Sequence, residues 1–152
     1  MTPFVGTFRH RVNSKGQVAF PAKLRENVPA DGEGRRTVYL MKTAEPCLLL
    51  LRRQELEALS ERLKSSGLFS RDRRFREVFF ASIEPVDIDP QGRILLPPRL
   101  REEAGLGREV VFVGAGNVVE IWDEAAWAGR LPEVEALRPE ASSRITAALE
   151  EI

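Results

Sequence analysis

Two segments of 14 residues in this chain are nearly the same, and this repeat constrains the fold more than any other feature. The first reads NSKGQVAFPAKLRE at residues 13–26, and the second reads DPQGRILLPPRLRE at residues 89–102. The segments lie 76 positions apart, and a glycine, three apolar residues, a proline and a closing Leu-Arg-Glu fall at matching places. A chain that contains such a duplication is expected to fold as two similar units.

The repeat continues into the segments that follow. TVYLM at 37–41 matches EVVFV at 109–113, and CLLLLRRQEL at 47–56 matches VVEIWDEAAW at 118–127. Short apolar runs bounded by turn and breaker residues predict buried strands, and a proline that follows such a run opens a helix. Each copy therefore predicts strand, turn, strand, short helix, strand, turn, strand and helix.

Each copy is too small to be secure alone, because about 50 residues bury too little surface for a stable core. Two copies that interlock their strands can share one core of sufficient size. We therefore predict an α+β chain with a mostly β core. The predicted division is a first repeat at 7–55, a helical connector at 56–82, a second repeat at 83–126 and a helical tail at 127–152.

Local signals predict the helices of the connector and the tail. A connector helix is expected to end at Gly67, and Ser70 is expected to cap a second helix. The Glu-rich tail predicts an amphipathic helix from Pro132 onward.

The charge is divided between the two halves of the chain. Residues 1–76 contain 16 Lys+Arg and 8 Asp+Glu, a net +8, whereas residues 77–152 contain 7 and 15, a net −8. This division suggests a basic half that faces a polyanion and an acidic half that turns away or meets a neighbouring subunit. The alternative is that both halves are simply solvated surfaces.

Composition argues against several classes of protein. With Cys47 as the single cysteine, no internal disulfide can form, and a reducing cytoplasm is expected. The start lacks an apolar stretch of signal-peptide length, and the run CLLLL is too short to span a membrane. No catalytic triad, metal-ligand spacing or phosphate loop is present, so we expect neither an enzyme nor a cofactor or metal. His10 is expected to be structural, and Cys47 to lie in the core.

Several motifs carry a resemblance to known families. Asp-x-x-Gly-Arg, three apolar residues and Pro, at Asp89 to Pro97, resembles the SpoVT/AbrB swapped-hairpin fold. The opening F-x-G…H-x-x-N-S-K-G, with PCLLL at 46–50 and EIWDEAAW at 120–127, is similar to the MraZ family. The resemblance covers about residues 4–130.

This resemblance implies a fold and a function. Two swapped-hairpin repeats are expected to form an intramolecular pseudo-dimeric barrel with flanking helices. The chain is expected to be a bacterial transcription regulator of the division and cell-wall gene cluster, cytoplasmic and associated with the nucleoid. It would bind short direct repeats in its own promoter as a ring-shaped homo-oligomer, through basic faces around the Asp-x-x-x-Arg turns.

The first copy departs from this pattern at two positions. Asn13 and Gln17 stand where the second copy has Asp89 and Arg93. An Asn–Gln pair can hydrogen-bond in the same place without charge, so the turn is expected to survive without a groove-reading arginine. Base readout then falls to Gln17, which can pair with adenine, or to basic residues nearby.

The candidate DNA-binding residues follow from this reading. They are Arg9, Arg11, Lys15, Gln17, Lys23, Arg25 and Arg93, and the turn motif comprises Asn13, Gly16, Asp89 and Gly92. Residues 1–26 alone have a net charge of +4.

Four alternatives remain open. Asp89 and Arg93 can simply hold their own turn, in acidic surroundings. RDRRFR at 71–76 is more often a solvated helix face, and Trp122 and Trp127 are more often packing anchors. The whole chain can be an oligomeric scaffold or protein-interaction module that has lost DNA readout.

Overall fold

The computed structural model describes residues 2–152, and the same order of elements occurs twice. The first repeat comprises β1 (Thr7–Arg11), β2 (Gln17–Ala19), α1 (Ala22–Arg25), β3 (Thr37–Lys42), β4 (Leu48–Leu51) and α2 (Arg53–Ser65). The connector contains α3 (Leu68–Arg71) and α4 (Arg74–Phe80). The second repeat comprises β5 (Glu84–Asp87), β6 (Arg93–Leu95), α5 (Pro98–Glu103), β7 (Glu109–Gly114), β8 (Val119–Asp123) and α6 (Glu124–Ala136), and α7 (Arg138–Leu149) follows.

The two repeats exchange their first strands. A six-stranded antiparallel sheet has the order β1-β7-β8-β4-β3-β5, so β1 adds to the hairpin of the second repeat and β5 adds to that of the first. Strands β2 and β6 form a separate two-stranded ribbon in which Val18 pairs with Ile94. The predicted α+β class and the interlocking of the copies are confirmed. Within residues 2–152 the edges β1 and β5 do not pair with each other, so the large sheet is open and no closed barrel forms.

One apolar core belongs to both repeats. Phe20 and Leu24 of the first repeat are fully buried in the same cluster as Ile94 and Phe112 of the second. The rings of Phe20 and Phe112 lie 5.9 Å apart. Since the core draws on both copies, neither repeat closes its own hydrophobic interior.

One local helix signal was wrong, and another placed the start of a helix too late. Ser70 lies within α3 and caps no helix, because the Asp72 carboxylate accepts the backbone N–H of Arg74 at 2.9 Å in the first turn of α4. Pro132 lies inside α6, which begins earlier because Asp123 Oδ2 accepts the N–H of Ala126 at 3.4 Å. Asp123 is the N-cap of α6, whereas Asp72 binds the first N–H of α4 from two residues upstream. Gly67 follows the end of α2 with a positive φ of 81°, as expected.

Within residues 2–152, no helix is both long enough and apolar enough to cross a bilayer.

Candidate nucleic-acid interface

Two matching turns lie at opposite ends of the β2–β6 ribbon, because each turn leads into one strand of an antiparallel pair. In the first, the N–H of Gly16 donates to the carbonyl oxygen of Asn13 at 3.0 Å. In the second, the N–H of Gly92 donates to the carbonyl oxygen of Asp89 at 2.9 Å. Gly16 and Gly92 have φ values of 82° and 83°, which confirms the predicted positive φ.

The second turn is held by a charged pair. Asp89 Oδ1 accepts the backbone N–H groups of Gln91 at 2.9 Å and Arg93 at 2.8 Å. Arg93 Nε donates to Asp89 Oδ2 at 3.0 Å, while the Arg93 side chain remains 38% exposed. The backbone N–H of Arg93 has the largest effect and lowers the pKa of Asp89. Burial opposes it, and the Arg93 side chain and the N–H of Gln91 add smaller decreases. The carboxylate thus fixes the position of a partly exposed guanidinium.

The first turn reproduces this arrangement without charge. Asn13 Oδ1 accepts the backbone N–H groups of Lys15 and Gln17, each at 2.9 Å. Asn13 Nδ2 donates to Gln17 Oε1 at 3.1 Å. The prediction that an Asn–Gln hydrogen bond replaces the ion pair is confirmed. This turn therefore offers an amide where its counterpart offers a guanidinium.

Arg25 does not point freely into solvent. Its Nη1 donates to the carbonyl oxygen of Phe20 at 2.9 Å and to that of Gly92 at 3.3 Å. Arg25 therefore joins α1 of the first repeat to the turn of the second. This contact spans 67 residues of sequence, so no local pattern could have revealed it.

A groove of about 560 Å³ lies beside the second turn, and it is not the acidic setting that the sequence predicted. Asp87 and Asp89 do line it, but Arg25, Arg35 and Arg36 of the first repeat line it too. The physical reason is the strand exchange, which pairs β5 with β3 and so brings the start of β3 to this turn. Arg35 and Arg36 were missed as candidates, and the only signal was the Arg-Arg pair directly before TVYLM.

Arg9 and Arg11 lie on the outer face of the edge strand β1, each opposite a carboxylate of the second repeat. Arg11 Nε is 2.7 Å from Glu109 Oε1, and Arg9 Nε is 3.6 Å from Glu124 Oε1. The side chain of Arg11 is 72% exposed and that of Arg9 is 58% exposed. Ion pairs this exposed contribute about 0.2–1 kcal/mol, so a phosphate can compete for either arginine.

The remaining candidates lie around the first turn. Lys15 and Lys23 are exposed, and Gln17 is half-buried on the ribbon. A groove of about 490 Å³ at this turn is lined by Ser14, Lys15 and Arg101, among others, and is the counterpart of the groove at the second turn.

Other singled-out side chains serve packing. The ring of His10 meets Phe112 edge-on at 6.0 Å, and burial lowers the pKa of His10. Cys47 is buried, and burial raises its pKa to about 12, so it is an uncharged thiol. The rings of Trp122 and Trp127 pack 5.7 Å apart. In residues 2–152 no cluster of three or more His, Cys, Asp or Glu is placed to hold a metal ion.

Comparison with known proteins agrees with the motifs. A family model described as "MraZ protein, putative antitoxin-like" matches residues 79–146. A transcriptional regulator MraZ of Symbiobacterium thermophilum is 39% identical over 93% of this chain and 99% of its own length. One of Thermomicrobium roseum is 37% identical over 93% of this chain and 96% of its own, and one of Paenarthrobacter aurescens is 39% identical over 88% and 90%.

Proposed function

Because the chain belongs to the MraZ family of transcriptional regulators, we propose that it binds double-stranded DNA sequence-specifically through the ribbon and its two turns. Its targets are short direct repeats in the promoter of the bacterial division and cell-wall gene cluster. It acts in the cytoplasm, at the nucleoid, as a ring-shaped homo-oligomer. The exposed two-stranded ribbon is the single observation that most supports this proposal.

The ribbon has the dimensions and the chemistry for a DNA groove. A two-stranded β-ribbon fits the major groove of B-DNA. Val18 and Ile94 face the core, whereas Gln17 and Arg93 are on the opposite face, each with part of its side chain exposed. Glutamine pairs with adenine and arginine with guanine, so the two repeats would read different bases.

Phosphate contacts would come from the basic residues around the ribbon. Lys15 and Lys23 are exposed beside the first turn, and Arg9 and Arg11 can exchange their exposed carboxylate partners for phosphates. Arg25, a candidate contact by sequence, is better suited to position the second turn, since its guanidinium donates to two backbone oxygens. Arg35 and Arg36 extend the basic surface at that turn.

The predicted division of the chain enters the proposal unchanged. The repeats at 7–55 and 83–126 build the DNA-binding ribbon together. The connector at 56–82 and the tail at 127–152 lie outside the ribbon and are available for assembly.

A salt-dependent binding titration tests the proposal. Fluorescence anisotropy would compare a duplex that contains the promoter repeats with a scrambled duplex at several salt concentrations. We expect the repeats to bind about 10³-fold or more tightly, with affinity falling steeply as salt rises. Lys15→Ala should weaken both duplexes alike and reduce the salt slope by about 1. Lys64→Ala, at an exposed lysine of α2, is the matched control and should change neither.

A second candidate is an oligomeric scaffold without DNA readout. It is favoured by the uncharged Asn13–Gln17 turn and by the pairing of Arg9 and Arg11 with carboxylates. Equal, weak affinity for both duplexes in the same titration would contradict the regulator and support the scaffold.

A further inference from the structure

The last helix of the chain lacks a tertiary partner. Every residue from 132 to 152 is exposed, and α7 buries none of its side chains. Isolated helices shorter than about 12–15 residues are marginal in water, and most helical stability in proteins comes from a packed apolar face. The 12 residues of α7 therefore need a surface against which to pack.

One face of this tail is apolar. Leu137, Ile145 and Leu149 follow one another at intervals of eight and four, which places them on one side of a helix. Their side chains are 62%, 58% and 61% exposed. Residues 133–152 contain five glutamates and two arginines, a net −3. The segment around α7 is thus acidic and carries its large apolar side chains on one side of the helix.

The connector carries a surface with the opposite charge, which we call the α3–α4 patch (residues 68–80). Phe75, Val78 and Phe80 are 40%, 69% and 48% exposed there. The inner side of the patch packs in a second apolar cluster that includes the buried Phe69 and Phe79. Residues 68–80 contain four arginines and two acidic residues, a net +2. Large exposed apolar side chains rimmed by charge are typical of protein-interaction surfaces.

We propose that α7 of one copy packs on the α3–α4 patch of a second copy. Opposite net charges favour this pairing over α7 against α7 or patch against patch, since like charges repel across an interface. Donor and acceptor are different surfaces, so each copy can give its α7 to one neighbour and receive α7 from another, and this head-to-tail arrangement is heterologous. Repeated around a closed rotation, it generates a ring. The inference rests on the homo-oligomer proposed above and assigns its interface.

Single substitutions at exposed positions test the contact without disturbing the core. The full chain would be compared with Val78→Asp in the patch and Ile145→Asp in the tail, by light scattering after size exclusion. Each variant alone should fall to the 17.1 kDa mass of one chain. Ser143→Asp adds the same charge to α7 away from the apolar face and should leave the assembly intact.

Mixing the two variants gives the decisive result. The Val78→Asp chain keeps an intact α7, and the Ile145→Asp chain keeps an intact patch, so one good contact remains in the mixture. We expect a two-copy species and nothing larger. The proposal would be overturned if the mixture contained only single chains. It would also be overturned if the Val78→Asp variant stayed fully assembled, because α7 would then have a different partner.

The same samples separate this inference from the DNA-binding proposal. Val78→Asp should retain the affinity of the parent for a duplex with a single repeat, because the patch lies outside the ribbon. A parent chain that stays single at all concentrations would overturn both the ring and this interface. An assembled parent whose variants behave as expected but which shows no promoter preference would overturn the DNA proposal alone.

Discussion

Arg25 packs its guanidinium directly against Gly92, the glycine of the other repeat's turn. Nη1 of Arg25 donates to the Gly92 carbonyl oxygen at 3.3 Å, and a Cβ at residue 92 would overlap the guanidinium. Gly16 has the same backbone conformation in the first turn, but a Cβ there would meet its nearest atoms only at 3.5 Å. The two turns are alike in backbone and differ in what is packed against them.

Gly92→Ala should therefore destabilise the protein more than Gly16→Ala. Both substitutions put a side chain at positive φ, which costs about 1–2 kcal/mol. Gly92→Ala also displaces Arg25 from its carbonyl partners, and hydrogen bonds of a charged donor contribute about 1.5–3 kcal/mol. Urea unfolding measures the difference. In an Arg25→Ala background the two alanines should cost the same, and a persistent difference there would contradict the role given to Arg25.

Arg52→Ala should be the most damaging arginine substitution. Arg52 is 2% exposed, and its Nε and Nη2 bind the two oxygens of Glu55 at 2.7 and 2.8 Å. Removing one partner of a buried ion pair costs about 3–5 kcal/mol. Its neighbour Arg53 is 75% exposed and 3.4 Å from Glu57, so Arg53→Ala should cost at most about 1 kcal/mol. Equal unfolding midpoints for the two variants would contradict this account.

The Asp89 carboxyl should titrate below the ordinary value of an aspartate, about 3.9. Its pKa is lowered in the folded state, so its contribution to stability is complete above the unfolded-state pKa and is lost as pH falls through the folded-state pKa. Carbon-13 NMR of the carboxyl group measures this midpoint. Arg93→Gln should raise the midpoint only in part, because the backbone N–H at residue 93 remains a donor. A midpoint at or above the ordinary value in the parent chain would refute the arrangement.

Asn13→Asp combined with Gln17→Arg should tighten DNA binding. The pair restores the Asp–Arg geometry of the second turn, and an arginine that finds a guanine adds roughly 1–3 kcal/mol. Salt-matched anisotropy measures the change. Asn13→Asp alone is the control, since it adds a carboxylate without an arginine partner and should give no gain. If the control binds as tightly as the double variant, the new arginine makes no base contact and the prediction is contradicted.

Residues 1–76 and 77–152 should fail to fold as separate chains. Each half loses the strand that it lends or borrows, because β1 pairs with β7 and β5 pairs with β3. Circular dichroism during heating should show no cooperative melt for either half as a single chain, whereas the full chain should melt in one transition. A half that melts cooperatively with the stability of the whole would contradict the shared core.

The features that the sequence predicted are those with local causes. The turns at Asn13 and Asp89 depend on a glycine with positive φ and on side chain to backbone hydrogen bonds within five residues, so they can be read from one segment. The order of strands and helices follows from the repeat itself. The exchange of strands was expected because a single copy buries too little apolar surface.

What the sequence could not predict depends on that exchange. From the sequence, Arg25 was interpreted as a free basic residue, because its contact with Gly92 forms only in the folded chain. Arg11 was likewise interpreted as part of a basic segment, but strand β7 places Glu109 Oε1 2.7 Å from Arg11 Nε. The buried Arg52 was missed as well, because Nη1 binds the carbonyl oxygen of Thr2, a residue 50 positions away.

The exchange of β1 also means that this strand is synthesised well before its pairing partner. Arg11 and its partner Glu109 are separated by 98 positions, so β1 leaves the ribosome long before β7 exists. At about 5–20 residues per second, that interval is roughly 5–20 s. During this time a nascent chain carries an unpaired edge strand that invites pairing with other chains. We therefore expect the arginines of β1 to limit aggregation of the nascent chain before β7 is made.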